Sequence, residues 1–516
     1  MARLELNVDL NRVEGDLSIQ ITLEDGVVVD ARTAGTMYRG FEQILLGRAP
    51  RDAMVITPRV CGICSTSHLY AAVLALEQVW RTPVPPNALR IRNLCLIAEG
   101  LQNDLRQTFL FFAPDFCHPR YLGQPLHAEL MRAFEPFKGE IYRETLTTTR
   151  RVLEIVAHFG GQWPHSSYML PGGVVTPPDT RRLVASRAVI DELARWYEQR
   201  VIGTPLDDWL ALDSADAYFA WQERPGPASA ALGLMTRFLR AQNLHRLGQG
   251  TPHMISFGVG CDPERWGPDD DSRLLRGGVF DGERGEVLPL DASKIAEHVR
   301  HSWFRPYEGG RHPFDGETVP DYQPGSDRYS WAKAPRYDGR VVQTGPLAEL
   351  LIGGDALLRD LFDREGAGAW LRQFARVRRV AYSLVQARRM LDELGANLGG
   401  PHFVPPAPGS EVDGQGCGLV MAARGALGHW VRLRNGVVDK YQIVTPTAWN
   451  ASPRDSAGLP GHWESSLVGT RVADPEDPIE IGHLIRSHDP CLVCTVHFAE
   501  VGTGSTGGDR RLVVGA

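Results

Sequence analysis

Apolar and polar residues alternate through LELNVDL (4–10) and LSIQITL (17–23), the period of a half-buried strand. This predicts a small antiparallel sheet over about residues 1–35. From about residue 68 the period becomes helical. HLYAAVLALEQVW, and NALRIRNLCLIAEGLQNDLRQTFLFFA after the PVPP break, are each long enough to cross a domain core. Further long helices are expected at 141–159, 181–201, 228–247 and 369–397. Between about 250 and 335 the chain is rich in Gly, Pro, Asp and Arg, with short strand-like pieces such as GEVLPLD, so loops and small strands are expected there. A second β-rich patch, 429–446, carries an Asn435-Gly436 hairpin signal. The fold class read from these periods is mainly α with small β elements. A central bundle of long helices (about 68–250 and 345–400) stands beside a small N-terminal sheet and a loop/β lobe.

Composition narrows the class of function. The 516 residues are 23% charged and 43% hydrophobic, which excludes a disordered chain or a small disulfide-stapled one. A net charge of -7 leaves no basic surplus for a phosphate backbone or an anionic lipid surface, so no nucleic-acid partner is expected. The first residues lack a secretory signal, and no run of about 18 apolar residues predicts a membrane span. Cytoplasmic residence is the default expectation, with association to a membrane or export through a partner left open.

The eight cysteines hold the candidate chemistry. Four are isolated, and Cys95 in an apolar helical stripe reads as packing. The other four form two CxxC pairs, Cys61/Cys64 in RVCGICSTSH and Cys491/Cys494 in DPCLVCTVH. Two intervening residues let both sulfurs of a pair turn toward one ion. Spacing alone permits a structural zinc site of four thiolates. Zinc ribbons, however, close their pairs over tens of residues, whereas these pairs lie near opposite ends of the chain. A site that ties such distant segments carries a large loop entropy and calls for a functional reason.

The flanking residues supply one. RxCGxC near the start and DPCxxCxxH near the end resemble the large, catalytic subunit of nickel-iron hydrogenases. RVEG (12–15), YRGFE (38–42), PGGV (171–174), KAPRYDG (333–339), GPL (345–347), RGALGHW (424–430) and TPTAWN (445–450) follow in family order. The resemblance implies a single large-subunit domain over 1–497, with a C-terminal ligand segment at about 480–497 and a tail, 498–516. The tail fits either endoproteolytic removal after nickel insertion or retention. The implied activity is reversible heterolytic activation of H2. All four cysteines would bind nickel, with Cys64 and Cys494 bridging to an iron that carries CO and cyanide ligands.

The same resemblance assigns the remaining residues. Glu14 would relay the proton from a nickel thiolate, and Asp16 stands where many members have His. Glu42 and His497 would hold magnesium or another divalent ion. His68 would hydrogen-bond a bridging thiolate. Arg336, with Pro335, would hang over the iron and bond a cyanide, oriented by Asp489. Ile63 and Phe111 would narrow the gas path, and Gln107 stands where many members have His. These features lean toward a hydrogen-sensing or O2-tolerant uptake type. The four isolated cysteines make no set for an iron-sulfur wire, so an iron-sulfur small subunit is the implied partner, along with maturation machinery. A quinone-site subunit related to respiratory complex I, or a structural zinc protein, are the competing readings.

Overall fold

A computed structural model of the protein describes residues 3–10, 12, 15, 17–267 and 270–491, and the backbone of 511–514. The chain opens with an antiparallel meander of β1 (Arg3–Leu10), β2 (Leu17–Glu24) and β3 (Val27–Gly35). Leu6 faces Ile21 and Val8 faces Ile19 across the first pair, the register that the alternation dictates. The buried face of this sheet, with Leu6, Val8, Ile19 and Ile21, shares one core with Trp463, Leu467, Ile481 and Leu484. The two ends of the described chain therefore pack into one another. On the other edge of β1, residues 511–514 add a parallel strand.

The central helix α1 (Ser65–Trp80) is buried along nearly its whole length, as expected of a helix that is apolar all round. Helix α2 (Pro86–Arg106) follows, with Pro86 at its first position, where a missing N–H costs nothing. It continues into a π-helical turn over Gln107–Phe112. The expected helix at 141–159 is two shorter ones, Glu140–Val152 and Glu154–Gly160. That at 181–201 is Thr180–Trp196 with a π-helical end. The one at 228–247 shrinks to Ala231–Ala241, because Ala230 is extended and Asn243 adopts a left-handed φ of 55°.

Short strands fill 254–298, including β4 (Ile295–His298), which pairs with β5 (Ala334–Tyr337). Helix α3 (Pro346–Gly353) precedes the long α4 (Ala369–Ala396), which packs on α2. A three-stranded meander then forms from β6 (Gly414–Ala422), β7 (Gly425–Arg434) and β8 (Val437–Val444). Its second turn uses Asn435 and Gly436, both at positive φ (54° and 73°), as a two-residue hairpin of this kind requires. Strand β6 lies directly on α1. A Cβ on Gly418 would stand 1.9 Å from the Ala71 carbonyl oxygen, so only glycine permits that approach. The last helix among the described residues, α5 (Ile479–Arg486), leads to Cys491. Among the described residues no helix is long and apolar enough to cross a membrane.

Candidate metal centre

Cys61 and Cys64 flank a tight turn at the entry to α1, and Cys491 arrives from the segment after α5. All three are buried, and their sulfurs lie within 4.8 Å of one another. Cys61 Sγ and Cys491 Sγ are 3.6 Å apart. Two sulfurs at about 2.3 Å from a tetrahedral ion would stand about 3.8 Å apart, so the spacing fits a shared metal. Ile63 packs against the three. Soft thiolates suit nickel as well as zinc, and the donor set alone does not choose between them. Cys494 and His497 lie outside the described residues, as do Glu14 and Asp16.

The ring of His68 stands one turn into α1 and is fully buried. Its Nδ1 is 3.0 Å from His429 Nε2, and His429 Nδ1 is 2.8 Å from the Tyr441 hydroxyl. Burial lowers the His68 pKa to about 4, opposed by the Cys61 sulfur, and holds His429 well below the ordinary range. Burial thus favours the neutral form of both rings. When the Tyr441 hydroxyl donates, each ring passes the donor role on and leaves His68 Nε2 as an N–H. That atom is buried with no hydrogen-bond partner among the described residues, which suits a donor for a thiolate.

A buried cation beside the thiols is Arg424, at the turn between β6 and β7. Burial disfavours its charge. Asp489 and the sulfurs of Cys491, Cys61 and Cys64 more than offset this, so its proton affinity ends well above the ordinary value. Arg424 Nε donates to Asp489 Oδ1 at 2.9 Å, and Asn103 Nδ2 donates to Asp489 Oδ2 at 2.6 Å. One Arg424 nitrogen, Nη1, is buried without a partner among the described residues.

This corrects the expected pairing of Asp489 with Arg336. Arg336 instead donates from Nε to Asp455 at 2.9 Å and from Nη1 to Ser452 Oγ and the Pro335 carbonyl at 3.0 and 2.9 Å. The reason is topological. Strand β5 pairs with β4 and points Arg336 into the 452–459 loop, whereas the β6–β7 turn delivers a guanidinium to Asp489. RGALGHW was visible in sequence, but a motif match does not say which of two arginines reaches the ligand segment. Asn103 and His429 were missed for a similar reason, since each looks like ordinary helix or strand polarity until its partner is known.

Glu42 is buried just after the left-handed Gly40. Its oxygens accept the Ile443 N–H at 2.7 Å and the Thr318 hydroxyl, with Lys333 Nζ 3.7 Å away. Lys333 also lies 3.4 Å from Glu297, so two buried carboxylates share one ammonium. Phe111 is half-buried in the π-helical turn, its carbonyl accepting from Arg12 at 2.9 Å. Gln107 donates to the Arg486 carbonyl and so grips the segment leading to Asp489.

The carboxylate of Glu99 is fully buried on α2. It accepts the N–H groups of Thr66 and Ser67 at 2.8 and 3.1 Å and the Ser67 hydroxyl at 2.5 Å. It thus caps α1 from another helix, directly behind Cys64.

The nickel-dependent hydrogenase family matches residues 39–120 and 111–497 of this chain. The chain is 32% identical to the periplasmic NiFeSe hydrogenase large subunit of Desulfomicrobium baculatum, over 97% of this chain and 96% of that one. It is 29% identical to the uptake hydrogenase large subunit of Bradyrhizobium diazoefficiens, over 95% and 94%. The Ni-Fe-Se hydrogenase structure from Desulfovibrio vulgaris Hildenborough superposes with a TM-score of 0.80 at 31% identity, covering 96% of this chain and all of that one. The structural-zinc and quinone-site readings give way to these matches. Distant thiols gathered beside a buried Arg–Asp pair, in this fold and over this length, make the chain a member of the nickel-dependent hydrogenases, an oxidoreductase large subunit.

Proposed function

We propose that this subunit oxidises H2 to two protons and two electrons as an O2-tolerant uptake or hydrogen-sensing enzyme, and that Arg424 rather than Arg336 is its active-site guanidinium. The observation that carries the proposal is the buried Arg424–Asp489 pair set against three converging thiols. Cys61, Cys64, Cys491 and Cys494 would hold a nickel-iron centre, with CO and cyanide on the iron. When bound, that centre supplies the redox-active, Lewis-acidic chemistry that polarises H2.

The chain's own residues supply the rest. Arg424 is a planar, fixed cation able to stabilise negative charge developing beside the thiols, and Asp489, held by Asn103, fixes its orientation. His68 would donate to a bridging thiolate. Glu14 would take the proton outward, a role open to a carboxylate near a metal. At Glu42 two buried carboxylates gathered around Lys333 offer hard oxygen donors, which supports magnesium or another divalent ion there with His497 as a further ligand.

The uptake side of the reading is supported by the likeness to an uptake enzyme, and the sensing side by Ile63, Phe111 and Gln107 in the sequence. Relatives named as large subunits support a small-subunit partner, and the lack of further paired cysteines supports iron-sulfur clusters in it. Residence in the cytoplasm is the default, with export alongside the partner as the alternative that a periplasmic relative supports. The single-domain reading over 1–497, with a tail at 498–516 processed by maturation machinery or kept, belongs to the same proposal.

The test compares Arg424→Lys with Arg336→Lys in the purified complex. Lysine keeps the charge but loses the planar guanidinium whose Nε–H meets Asp489. Turnover per nickel should fall by orders of magnitude in Arg424→Lys with nickel and iron retained. In Arg336→Lys it should stay near wild type, the loss appearing as lower stability from the disrupted Asp455 pair. The reverse pattern would return the role to Arg336, and zinc in place of nickel and iron would end the proposal.

A further inference from the structure

A second buried ion group adjoins the Arg424 turn. Arg379 on α4 is 5% exposed and donates from Nε and Nη2 to the two oxygens of Asp104, at 2.8 and 2.6 Å. Its Nη1 donates to Glu349 on α3 at 2.9 Å, and Nη2 also donates to the Ala423 carbonyl at 2.5 Å. Ala423 immediately precedes Arg424. Asp104 immediately follows Asn103, whose amide holds Asp489. One guanidinium is thus bonded to the chain neighbour of Arg424 and to the chain neighbour of Asn103, the residue that holds Asp489.

Taking two carboxylates and an arginine out of water carries a desolvation penalty that a pair of apolar side chains would avoid. The geometry explains what that cost secures. The β6–β7 turn is otherwise held by Thr344, whose Oγ1 accepts the Ala426 N–H at 2.9 Å, on the strand side after Arg424. Nothing but Arg379 is seen to hold the Ala423 carbonyl, on the side before it, among the described residues. A planar fork can make these four bonds, two to Asp104 and one each to Glu349 and that carbonyl; an ammonium, with three donors on one atom, cannot.

We infer that Arg379 is a positioning residue: by tying the Ala423 carbonyl to Asp104 it fixes the Arg424 turn against α2, and so holds Arg424 in register with Asp489 and the thiols. This rests on the reading of Arg424 given above. A partly open cavity of about 180 Å³, lined by Arg379, Glu349, Ile97, Leu275, Leu350 and Tyr382, borders the same group. Shortening Arg379 would extend that cavity to Asp104 and admit a small planar cation.

The experiment uses the full complex and three variants: Arg379→Lys, Arg379→Ala, and Arg424→Lys as reference. Arg379→Lys keeps a cation between the two carboxylates and so protects the fold. Nickel per chain, melting temperature, and kcat and KM for H2 with a dye acceptor are measured, without and with tens of millimolar guanidinium chloride. The expected result is wild-type nickel content in Arg379→Lys, a kcat lowered on the order of 100-fold, as for a misplaced reacting group, and little change in KM. Guanidinium should raise kcat of Arg379→Ala several-fold and leave wild type and Arg424→Lys unaffected. Wild-type kcat in Arg379→Lys, beside a deficient Arg424→Lys, overturns this proposal alone. Loss of nickel or of folding in both Arg379 variants makes the residue structural and also overturns it. Normal turnover in Arg424→Lys overturns the reading of Arg424, and this proposal with it.

Discussion

Glu99 shows what a single buried residue does to this site. Its carboxylate takes two N–H groups of the helix that starts at Ser65, so its geometry and that of Cys64 are linked. Burial nevertheless raises its pKa from the ordinary 4.5 to about 7, against the pull of the Ser67 and Thr66 hydrogen bonds. The folded chain therefore keeps a proton that the unfolded chain loses near 4.5. Stability from this group is full below about 4.5, falls as pH rises through about 7, and is then lost. Glu99→Gln cannot ionise. The melting temperature of the variant minus that of wild type should rise between about pH 4.5 and about pH 8. A difference that stays flat across that range would mean that Glu99 titrates as an ordinary surface carboxylate. At this scale the cysteine pairs were legible, because CxxC spacing is local. Glu99, Asn103 and Arg379 were not, since a helix charge reads the same whether it faces water or another helix.

The elements divide along the same line. Strands β1 and β2, helices α1, α2 and α4, and the Asn435-Gly436 turn followed from period and turn chemistry. Strand β6, GQGCGLVMA, did not. Its glycines weaken the alternation, and they are there because α1 comes so close. The gas path belongs to this scale as well, since Ile63 sits in the turn before α1 and Phe111 in the π-helical turn after α2. If these side chains narrow the passage, Ile63→Val with Phe111→Leu should admit O2 faster. Aerobic inactivation should then quicken while anaerobic H2 oxidation holds or increases. The lost packing should cost about 1–3 kcal/mol, so both proteins are compared where they remain folded. Equal inactivation rates would leave the two residues as packing alone.

For the whole molecule, the decisive feature is that the first strands and the last helix share one core, which brings Cys491 to Cys61. A metal held there binds the folded chain and not the unfolded one, so it adds stability by mass action, about 4 kcal/mol at a thousandfold excess over its dissociation constant. Nickel-free protein should melt lower than loaded protein. The loss should concentrate in the 487–491 segment, measured as faster amide exchange there, with α1 and α4 still protected. Identical melting and exchange with and without nickel would show that the core alone closes the site.

By itself the sequence determined the class of fold, the two cysteine pairs and, through the motifs around them, the family. These are properties of short stretches, in which period, spacing and turn residues act over a few positions. Which arginine pairs with Asp489 beside the thiols was decided only by the tertiary structure. Arg336 and Arg424 both lie in family motifs, and each is paired by a carboxylate more than sixty residues away. Strand order and the packing of β6 on α1 send one to Asp455 and the other to Asp489. Long-range pairing of buried charges is set by where the backbone elements finally lie, and no local pattern in the chain encodes that.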